Sequence, residues 1–297
     1  MQSARGGARA ARENLGHESL VLYSSSVVMQ HTSRWPMKRN AVNNRSIVPL
    51  TGFTLRVTED YEAMSSVAAR HVTAVLRANP SALLCLATGA SPARTYELLA
   101  ESGHRKPTLF QRVRLLKLDE WGGLAPDDPA TCETYLRERL CGPLGIRGDR
   151  FSGWHSRPRQ PQTECARMAI WLAAHGPIDL SILGLGVNGH LGFNEPAAAL
   201  QAGPHVARLS RASLRHEMLR NARGQVRYGL TLGMGDLLRS REILLLVSGP
   251  RKAEQLCRLF TGQVTPRFPA SFLGLHPALT ICCDQAAAAR LPRALLR

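Results

Sequence analysis

Acidic and imidazole side chains occur at two places where an apolar segment of the chain ends. Asp119 and Glu120 follow one such segment, and His190 and Glu195 lie in the glycine-rich stretch Gly184–Pro196 that follows another. Carboxylates and an imidazole can pass protons to and from a substrate when the fold holds them within hydrogen-bond reach of it. Taken singly, such a histidine is more often a packed or surface residue, and a strand-end acid is as often a cap. Together these residues predict an acid/base site.

The glycine-rich stretch predicts a loop that approaches a ligand. Glycine lets the backbone come close to a bound molecule, and Asn188 and Gly189 directly precede His190. The pattern is not the dinucleotide-binding fingerprint, because no third glycine follows at the required spacing before a helix. The stretch therefore favours catalysis by side chains rather than binding of a nicotinamide cofactor.

A turn of small residues predicts an anion site. Thr88, Gly89, Ala90 and Ser91 lead from an apolar segment into a predicted helix, and such a turn presents free N–H groups and the positive end of the helix dipole. The simpler interpretation of this turn alone is an ordinary connection that Ser91 caps. Lys252 stands at a second strand-to-helix junction. In a chain that carries nearly all its positive charge on arginine, this lysine favours a phosphate contact over a solvated position.

Apolar runs alternate with helical patterns from Phe53 onward, as in βαβ units. The chain is therefore predicted to form an α/β fold of the Rossmann-like type, with an open, mostly parallel sheet flanked by helices. Ligands of such sheets bind at the carboxyl ends of the strands, where the residues above are found. The predicted strands are Phe53–Val57, Ala82–Ala87, Val113–Leu118, Ile178–Leu185, Tyr228–Leu232, Glu242–Ser248 and Leu279–Cys283. The predicted helices are Asp60–Ala78, Ala93–Glu101, Thr131–Leu140, residues 164–175, Ser213–Asn221 and Arg251–Phe260.

Composition divides the chain into two parts. Residues 51–297 carry the alternating pattern and are predicted to form one domain. Residues 1–50 form a basic extension that is predicted to be disordered, because it lacks a sustained amphipathic period. Glu13, Glu18 and the missing apolar face weaken the alternative of a transit peptide. A true start at Met37 would explain the extension equally well.

The net charge of +16 raises the question of a nucleic-acid partner. The basic residues are nearly all arginines scattered singly, and five of the sixteen net charges fall within residues 1–50, so no nucleic-acid partner is predicted. The remaining positive field would favour an anionic small substrate. No apolar stretch approaches the roughly 20 residues that a membrane helix needs, so no membrane partner is predicted.

The seven cysteines show no CxxC spacing, and several stand inside apolar runs. This usage predicts reduced, buried thiols and a cytoplasmic protein. No group of histidines and cysteines has the spacing of metal ligands, so no metal site is predicted.

Three segments resemble the superfamily of glucosamine-6-phosphate deaminases and 6-phosphogluconolactonases. They are Leu118–Trp121, Gly186–Pro196 and Tyr228–Gly233. The resemblance extends from about Phe53 to about Asp284, which is most of the chain. It implies the same α/β fold that the alternating pattern predicts.

Within this superfamily Phe193–Pro196 looks like the deaminase branch. Trp121–Gly123 and Asn188 look most like the galactosamine-6-phosphate isomerase subgroup, since the glucosamine enzymes commonly have an aspartate at the position of Asn188. The resemblance implies conversion of galactosamine 6-phosphate to tagatose 6-phosphate with release of ammonia. The alternatives are the corresponding glucosamine 6-phosphate reaction, then a 6-phosphogluconolactonase-type hydrolysis. A sugar-phosphate-binding regulator or a nucleic-acid binder is the alternative from another class.

The resemblance also implies roles for single residues. Asp119 would move a proton between the amine-bearing carbon and its neighbour. His190 would open the sugar ring, oriented by Glu195, with Asn188 beside them. The family places a basic residue against the phosphate from the segment before Tyr228, and the counterpart here is His216, with Arg215, Arg220 and Arg223 nearby.

The implied substrate contacts and partners complete the prediction. The substrate-binding residues would be Thr88, Gly89, Ala90, Ser91, Glu120, Gly189, His216 and Lys252. Ala197–Arg227 looks like a lid that would exclude water during proton transfer. Neither a metal nor an organic cofactor is implied, because the substrate itself supplies the electron sink. The implied partner is a small amino-sugar phosphate, and the sequence leaves open whether the chain is a monomer or a homo-oligomer.

Overall fold

The computed structural model describes residues 53–260 and 263–295, so the predicted extension over residues 1–50 lies outside the described residues. The strands are β1 (Phe53–Thr58), β2 (Leu83–Leu86), β3 (Arg114–Lys117), β4 (Asp119–Gly122), β5 (Phe151–Ser152), β6 (Leu180–Gly184), β7 (His205–Ala207), β8 (Tyr228–Thr231), β9 (Glu242–Val247) and β10 (Leu279–Asp284). The α-helices are α1 (Tyr61–Ala78), α2 (Ala90–Arg105), α3 (Cys132–Leu136), α4 (Pro161–His175), α5 (Met234–Leu238), α6 (Ala253–Leu259) and α7 (Gln285–Ala288).

Seven strands form one parallel sheet in the order β1-β10-β9-β6-β2-β3-β5. The predicted open, mostly parallel sheet flanked by helices is thereby confirmed. Because all seven strands run the same way, their carboxyl ends lie along one edge of the sheet. The connections that leave β2, β3, β6 and β9 at this edge carry the residues that the sequence singled out.

Apolar residues cover both faces of the parallel sheet. Leu84 and Leu86 of β2 pack on one face with residues of α1 and α2 such as Met64 and Leu99. The alternate residues of β2, Leu83 and Cys85, belong to the cluster on the other face, which includes Met168 of α4 and Leu256 of α6. Burial on both faces explains why the central strands are continuous apolar runs rather than alternating patterns.

A second, antiparallel sheet of three strands was not predicted. Its order is β4-β8-β7, so the predicted strand Tyr228–Leu232 belongs here and not to the parallel sheet. The chain leaves the parallel sheet after Leu118, whose N–H donates to the carbonyl of Leu86, and Asp119 then pairs with Thr231. This change of sheet carries Asp119 beyond the edge of the parallel sheet.

Several predicted boundaries differ from the structure. Helix α2 begins at Ala90, so Pro92 lies within its first turn, where a missing N–H costs no intrahelical bond. The predicted helix over Ser213–Asn221 is instead two short 3₁₀ turns, separated by the extended residue His216. The predicted helix over Thr131–Leu140 is α3 followed by one π-helical turn. Asp60 caps α1, as its position predicted, by accepting a 2.8 Å hydrogen bond from the Ala63 N–H.

The described residues include all seven cysteines, and each of them is a free thiol. Six are buried, as predicted, and Cys257 is half-buried. Among the described residues no helix is long and apolar enough to span a membrane. No group of three or more histidine, cysteine, aspartate or glutamate side chains in this part of the chain is arranged to hold a metal ion.

Candidate active site

Asp119 is a buried carboxylate, and one of its oxygens has no hydrogen-bond partner among the described residues. Its side chain is 7% exposed, and among the described residues no group makes a hydrogen bond to Oδ1. Burial and the neighbouring charge of Glu120 raise the pKa of Asp119 to about 7, against the opposing effect of Lys117. A carboxylate with this pKa can take and return a proton near neutral pH. The role of general base that the resemblance implies for Asp119 stays a prediction.

The glycine-rich loop after β6 brings His190, Glu195 and Asn188 together. The His190 Nδ1 lies 3.5 Å from Glu195 Oε2, and the Asn188 Nδ2 donates to the same oxygen at 2.9 Å. The Asn188 Oδ1 in turn accepts from the His190 N–H at 3.2 Å. Asn188 thus bridges the histidine backbone and the carboxylate, which fixes one relative to the other.

Two serines hold the second oxygen of Glu195. The Ser213 hydroxyl and, at 3.2 Å, the Ser210 N–H both donate to Oε1. Burial alone would raise the pKa of Glu195, but His190 and the hydrogen bonds from Ser213 and Asn188 outweigh it and lower the pKa to about 2. Glu195 is therefore ionised at neutral pH. No local sequence signal marks Ser210 or Ser213, since both are distant in the chain from Glu195.

Glycine is required where the loop meets the imidazole. A Cβ on Gly186 would lie 2.4–2.5 Å from atoms of the His190 ring. Gly189 has φ +88°, and a Cβ there would overlap the Phe268 ring at 2.1 Å. The loop is linked to Asp119 through the second sheet, because the Phe193 N–H donates to Oγ1 of Thr231, the residue paired with Asp119.

The turn after β2 ends at Gly89, which has a φ of +109° and is the N-cap of the 16-residue helix α2. Two tyrosine hydroxyls fix this turn: Tyr135 donates to the Gly89 carbonyl at 2.7 Å, and Tyr61 donates to the Ala90 carbonyl at 2.6 Å. The first N–H groups of a helix have no acceptor within the helix, and anions bind at such positions. The anion site at this turn stays a prediction, and the sequence did not indicate the two tyrosines.

The side chains of the turn also contact neighbouring elements. The Thr88 hydroxyl donates to Cys132 Sγ at 3.3 Å, and the Ser91 and Ser248 hydroxyls lie 3.4 Å apart. A cavity of about 950 Å³ adjoins the turn at Gly89 and Ala90. Asp119 and His190 do not line this cavity, so it borders the anion turn and not the acid/base residues.

His216 and Lys252 lie near this turn. A Cβ on Gly89 would be 3.4 Å from the His216 Nε2, which places the imidazole over the turn. Burial lowers the pKa of His216, and the charges of His190 and Lys252 lower it further, against Glu217. Burial also lowers the pKa of Lys252 to about 8, and its Nζ donates to the Leu185 carbonyl at 2.6 Å. These contacts bring the two predicted anion ligands and His190 into one region.

Glu120 does not have the surroundings of a substrate ligand. It is fully buried, its Oε2 accepts from Lys117 Nζ at 2.6 Å, and its Oε1 accepts from the N–H groups of Trp121 and Cys132 at 2.8 Å each. The Glu133 N–H donates to Oε2 at 3.0 Å. Protein donors therefore occupy both oxygens, and the prediction that Glu120 contacts substrate gains no support from its geometry.

The chain is an α/β protein in which Asp119, His190 and Glu195 follow strands at the carboxyl edge of a parallel sheet. Residues 58–281 match the family described as glucosamine-6-phosphate isomerases/6-phosphogluconolactonase. AgaI of Escherichia coli (strain K12), which bears the name of a deaminase, is 43% identical over 223 residues, or 75% of this chain and 88% of AgaI. The glucosamine-6-phosphate deaminase of Rhodopirellula baltica is 35% identical over 80% of this chain and 96% of its own.

Solved structures agree with this relationship. A monomeric glucosamine-6-phosphate deaminase superposes with a TM-score of 0.75 and 31% identity, covering 80% of this chain and 99% of its own. The 6-phosphogluconolactonase of Trypanosoma brucei shares the fold, with a TM-score of 0.66 and 17% identity over 80% of this chain and 98% of its own. The chain belongs to the glucosamine-6-phosphate isomerase/6-phosphogluconolactonase family.

Proposed function

We propose that this protein is an amino-sugar 6-phosphate deaminase that converts galactosamine 6-phosphate to tagatose 6-phosphate and ammonia. The observation that carries the proposal is Asp119, a buried carboxylate with a free oxygen and a pKa of about 7 at the edge of the sheet. A base of this kind suits an aldose–ketose conversion, which needs one group to remove a proton from carbon and return it to the adjacent carbon.

The reaction is redox-neutral overall and needs only acid/base groups. In the open-chain sugar, C2 and the amine each lose one proton, and C1 and its oxygen each gain one, which turns the aldehyde into an alcohol and the C2 amine into an imine. Water adds to the imine carbon, and ammonia leaves to give the ketose. Asp119 would carry the proton between C2 and C1, and its partial protonation near pH 7 suits both directions of transfer.

His190 would open the pyranose ring before that transfer. Its Nδ1 faces the ionised Glu195, which favours the tautomer with hydrogen on Nδ1 and leaves Nε2 to exchange a proton with the ring oxygen. Asn188 and Ser213 hold Glu195 in this position. The phosphate would bind at the N-terminus of α2, with His216 and Lys252 as the nearby basic side chains.

One observation, the residue at position 188, favours the galacto substrate. Asn188 donates an amide N–H to Glu195. The glucosamine enzymes that this chain resembles commonly have an aspartate at this position. An amide there keeps one carboxylate beside His190 instead of two.

The test is ammonia release from galactosamine 6-phosphate and glucosamine 6-phosphate, measured in parallel for the wild type and for Asp119→Asn. A higher kcat/KM for the galacto sugar, lost in the variant, is expected. A preference for the gluco sugar would overturn the choice of epimer only. Ammonia from neither sugar, together with hydrolysis of 6-phosphogluconolactone, would overturn the deaminase proposal and leave the family.

A further inference from the structure

Lys117 and Glu120, which flank the proposed base Asp119 in the sequence, form a fully buried ion pair. Lys117 is 0% exposed, and its Nζ donates to Glu120 Oε2 at 2.6 Å, to Glu133 Oε2 at 3.0 Å and to the Trp154 carbonyl at 2.8 Å. Every donor of this ammonium group therefore has an acceptor. Burial would lower the pKa of Lys117, but Glu120 and Glu133 outweigh it and raise the pKa, so the lysine remains charged.

Hydrogen bonds fix the position of Glu120 as well as that of Lys117. Besides the lysine, it accepts hydrogen bonds from three backbone N–H groups, those of Trp121, Cys132 and Glu133. The carboxylate of Glu120 is therefore held in place by groups from β4 and from the start of α3.

Stability alone does not account for this pair. Taking two charges out of water costs several kcal/mol for each ion, and well-packed apolar residues of similar volume are often equally stable. A fold that needed only a filled core at this position could place leucine and methionine there. A role that requires the charges is the alternative.

Asp119 is the neighbour on which these charges act. The titratable groups that interact with it are Glu120 on β4, Lys117 on β3, Cys85 on β2, Cys132 on α3 and Tyr96 on α2. Burial raises the pKa of both thiols and of the phenol, so these three groups are neutral at physiological pH. Glu133 is balanced by Arg137 at 2.7 Å. Among the described residues, the charges that act on the pKa of Asp119 are those of Lys117 and Glu120.

We propose that the buried Lys117–Glu120 pair is a positioning element that sets the pH at which Asp119 becomes a base. Glu120 favours the protonated form of Asp119, and Lys117 favours the ionised form. The two residues touch no reacting atom and act through Asp119. The inference rests on the proposed function, since it takes Asp119 as the base of the deaminase reaction.

The test is the pH profile of kcat/KM for ammonia release in Glu120→Gln and Lys117→Met. The acidic limb of the wild type should fall near pH 7. In Glu120→Gln the limb should move down by about one pH unit, and in Lys117→Met it should move up by about as much. Shifts in opposite directions are the signature of a charge effect, because damage to the fold would lower the rate at every pH.

A third variant, Glu133→Gln, keeps the inference testable if Glu120→Gln or Lys117→Met does not fold. Glu133 is partly exposed, so Glu133→Gln should fold, and by leaving Lys117 less neutralised it should move the limb down by a smaller amount. Glu164→Gln is the matched control. It breaks the ion pair between the buried Glu164 and the partly exposed Arg167, which does not contribute to the pKa of Asp119, and it should leave the limb in place.

The outcomes separate this inference from the function. If Asp119→Asn is inactive while Glu120→Gln, Lys117→Met and Glu133→Gln all keep the limb of the wild type, the pair has only a structural role and the inference is overturned. If Asp119→Asn releases ammonia with an unchanged profile, the assignment of the base fails first.

Discussion

The imidazole of His190 occupies the space that a side chain on Gly186 would need, since a Cβ there would lie 2.4 Å from the ring. The backbone of Gly186 is outside the left-handed region, so the conflict is one of space and not of backbone strain. Gly186 thus determines where the histidine lies, although it has no chemistry of its own.

Gly186→Ala should displace His190 and lower kcat about 100-fold, because a shift of about 1 Å in a catalytic group can cost this much. The protein should remain folded. Gly184→Ala is the control, since a Cβ on Gly184 would meet nothing within 4 Å, and its kcat should match the wild type. Steady-state kinetics and circular dichroism of both variants are the measurements. Equal activity in the two variants would contradict the placement of His190.

Asp119→Asn should stabilise the protein at alkaline pH while abolishing activity. The folded protein keeps a proton on Asp119 up to about pH 7, whereas the ordinary pKa of an aspartate, which applies to the unfolded chain, is 3.8. The wild type therefore loses stability as the pH rises between these values. Asparagine removes this loss. The free energy of unfolding at pH 8, measured by urea denaturation, should rise by about 1–3 kcal/mol relative to the wild type.

The difference between Asp119→Asn and the wild type should shrink as the pH falls towards 4. Asp127→Asn, a change at an exposed aspartate, should behave as the wild type at every pH. A variant at Asp119 that is less stable than the wild type at pH 8 would show that the carboxylate is stabilised in the folded protein, contrary to its buried surroundings.

Lys252→Met should raise KM for the sugar phosphate at pH 7 by about 10-fold or more, since a hydrogen bond to a charged group contributes about 1.5–3 kcal/mol. In the wild type, KM should also rise as the pH passes about 8, where the free lysine loses its proton. Lys252→Arg keeps the charge at high pH and should flatten that rise. An unchanged KM in Lys252→Met would remove this residue from the phosphate site.

Asn188→Ala and Ser213→Ala should each lower kcat about 10-fold to 100-fold with little change in stability. Each removes one donor that holds Glu195 beside His190. Ser181→Ala is the control. Ser181 lies in β6, the strand that precedes the loop, and it makes a buried hydrogen bond to Ser240 and no contact with Glu195. It should lower the melting temperature and leave kcat unchanged. An unchanged kcat in Asn188→Ala and Ser213→Ala would mean that Glu195 does not need these two hydrogen bonds for catalysis.

The central strands and the helix that Asp60 caps follow from local patterns in the sequence. Apolar runs long enough to be buried on both faces predict strands of a parallel sheet, and helical spacing of apolar residues predicts α1. The segment Ser213–Asn221 was predicted wrongly as a helix. Its leucines, arginines, glutamate and methionine favour a helix, but the structure has two short 3₁₀ turns there, in which Ser213 contacts Glu195 and His216 lies beside the turn at Gly89.

The sequence by itself determined the parallel sheet and the acids and imidazole at its carboxyl edge, because apolar runs and strand-end positions are local properties of the chain. Only the tertiary structure decided whether Asp119 or Glu120 keeps an oxygen without a protein donor. That choice depends on Lys117, on the start of α3 and on the pairing of β4 with β8. These contacts form between segments distant in the chain, and no local pattern encodes them.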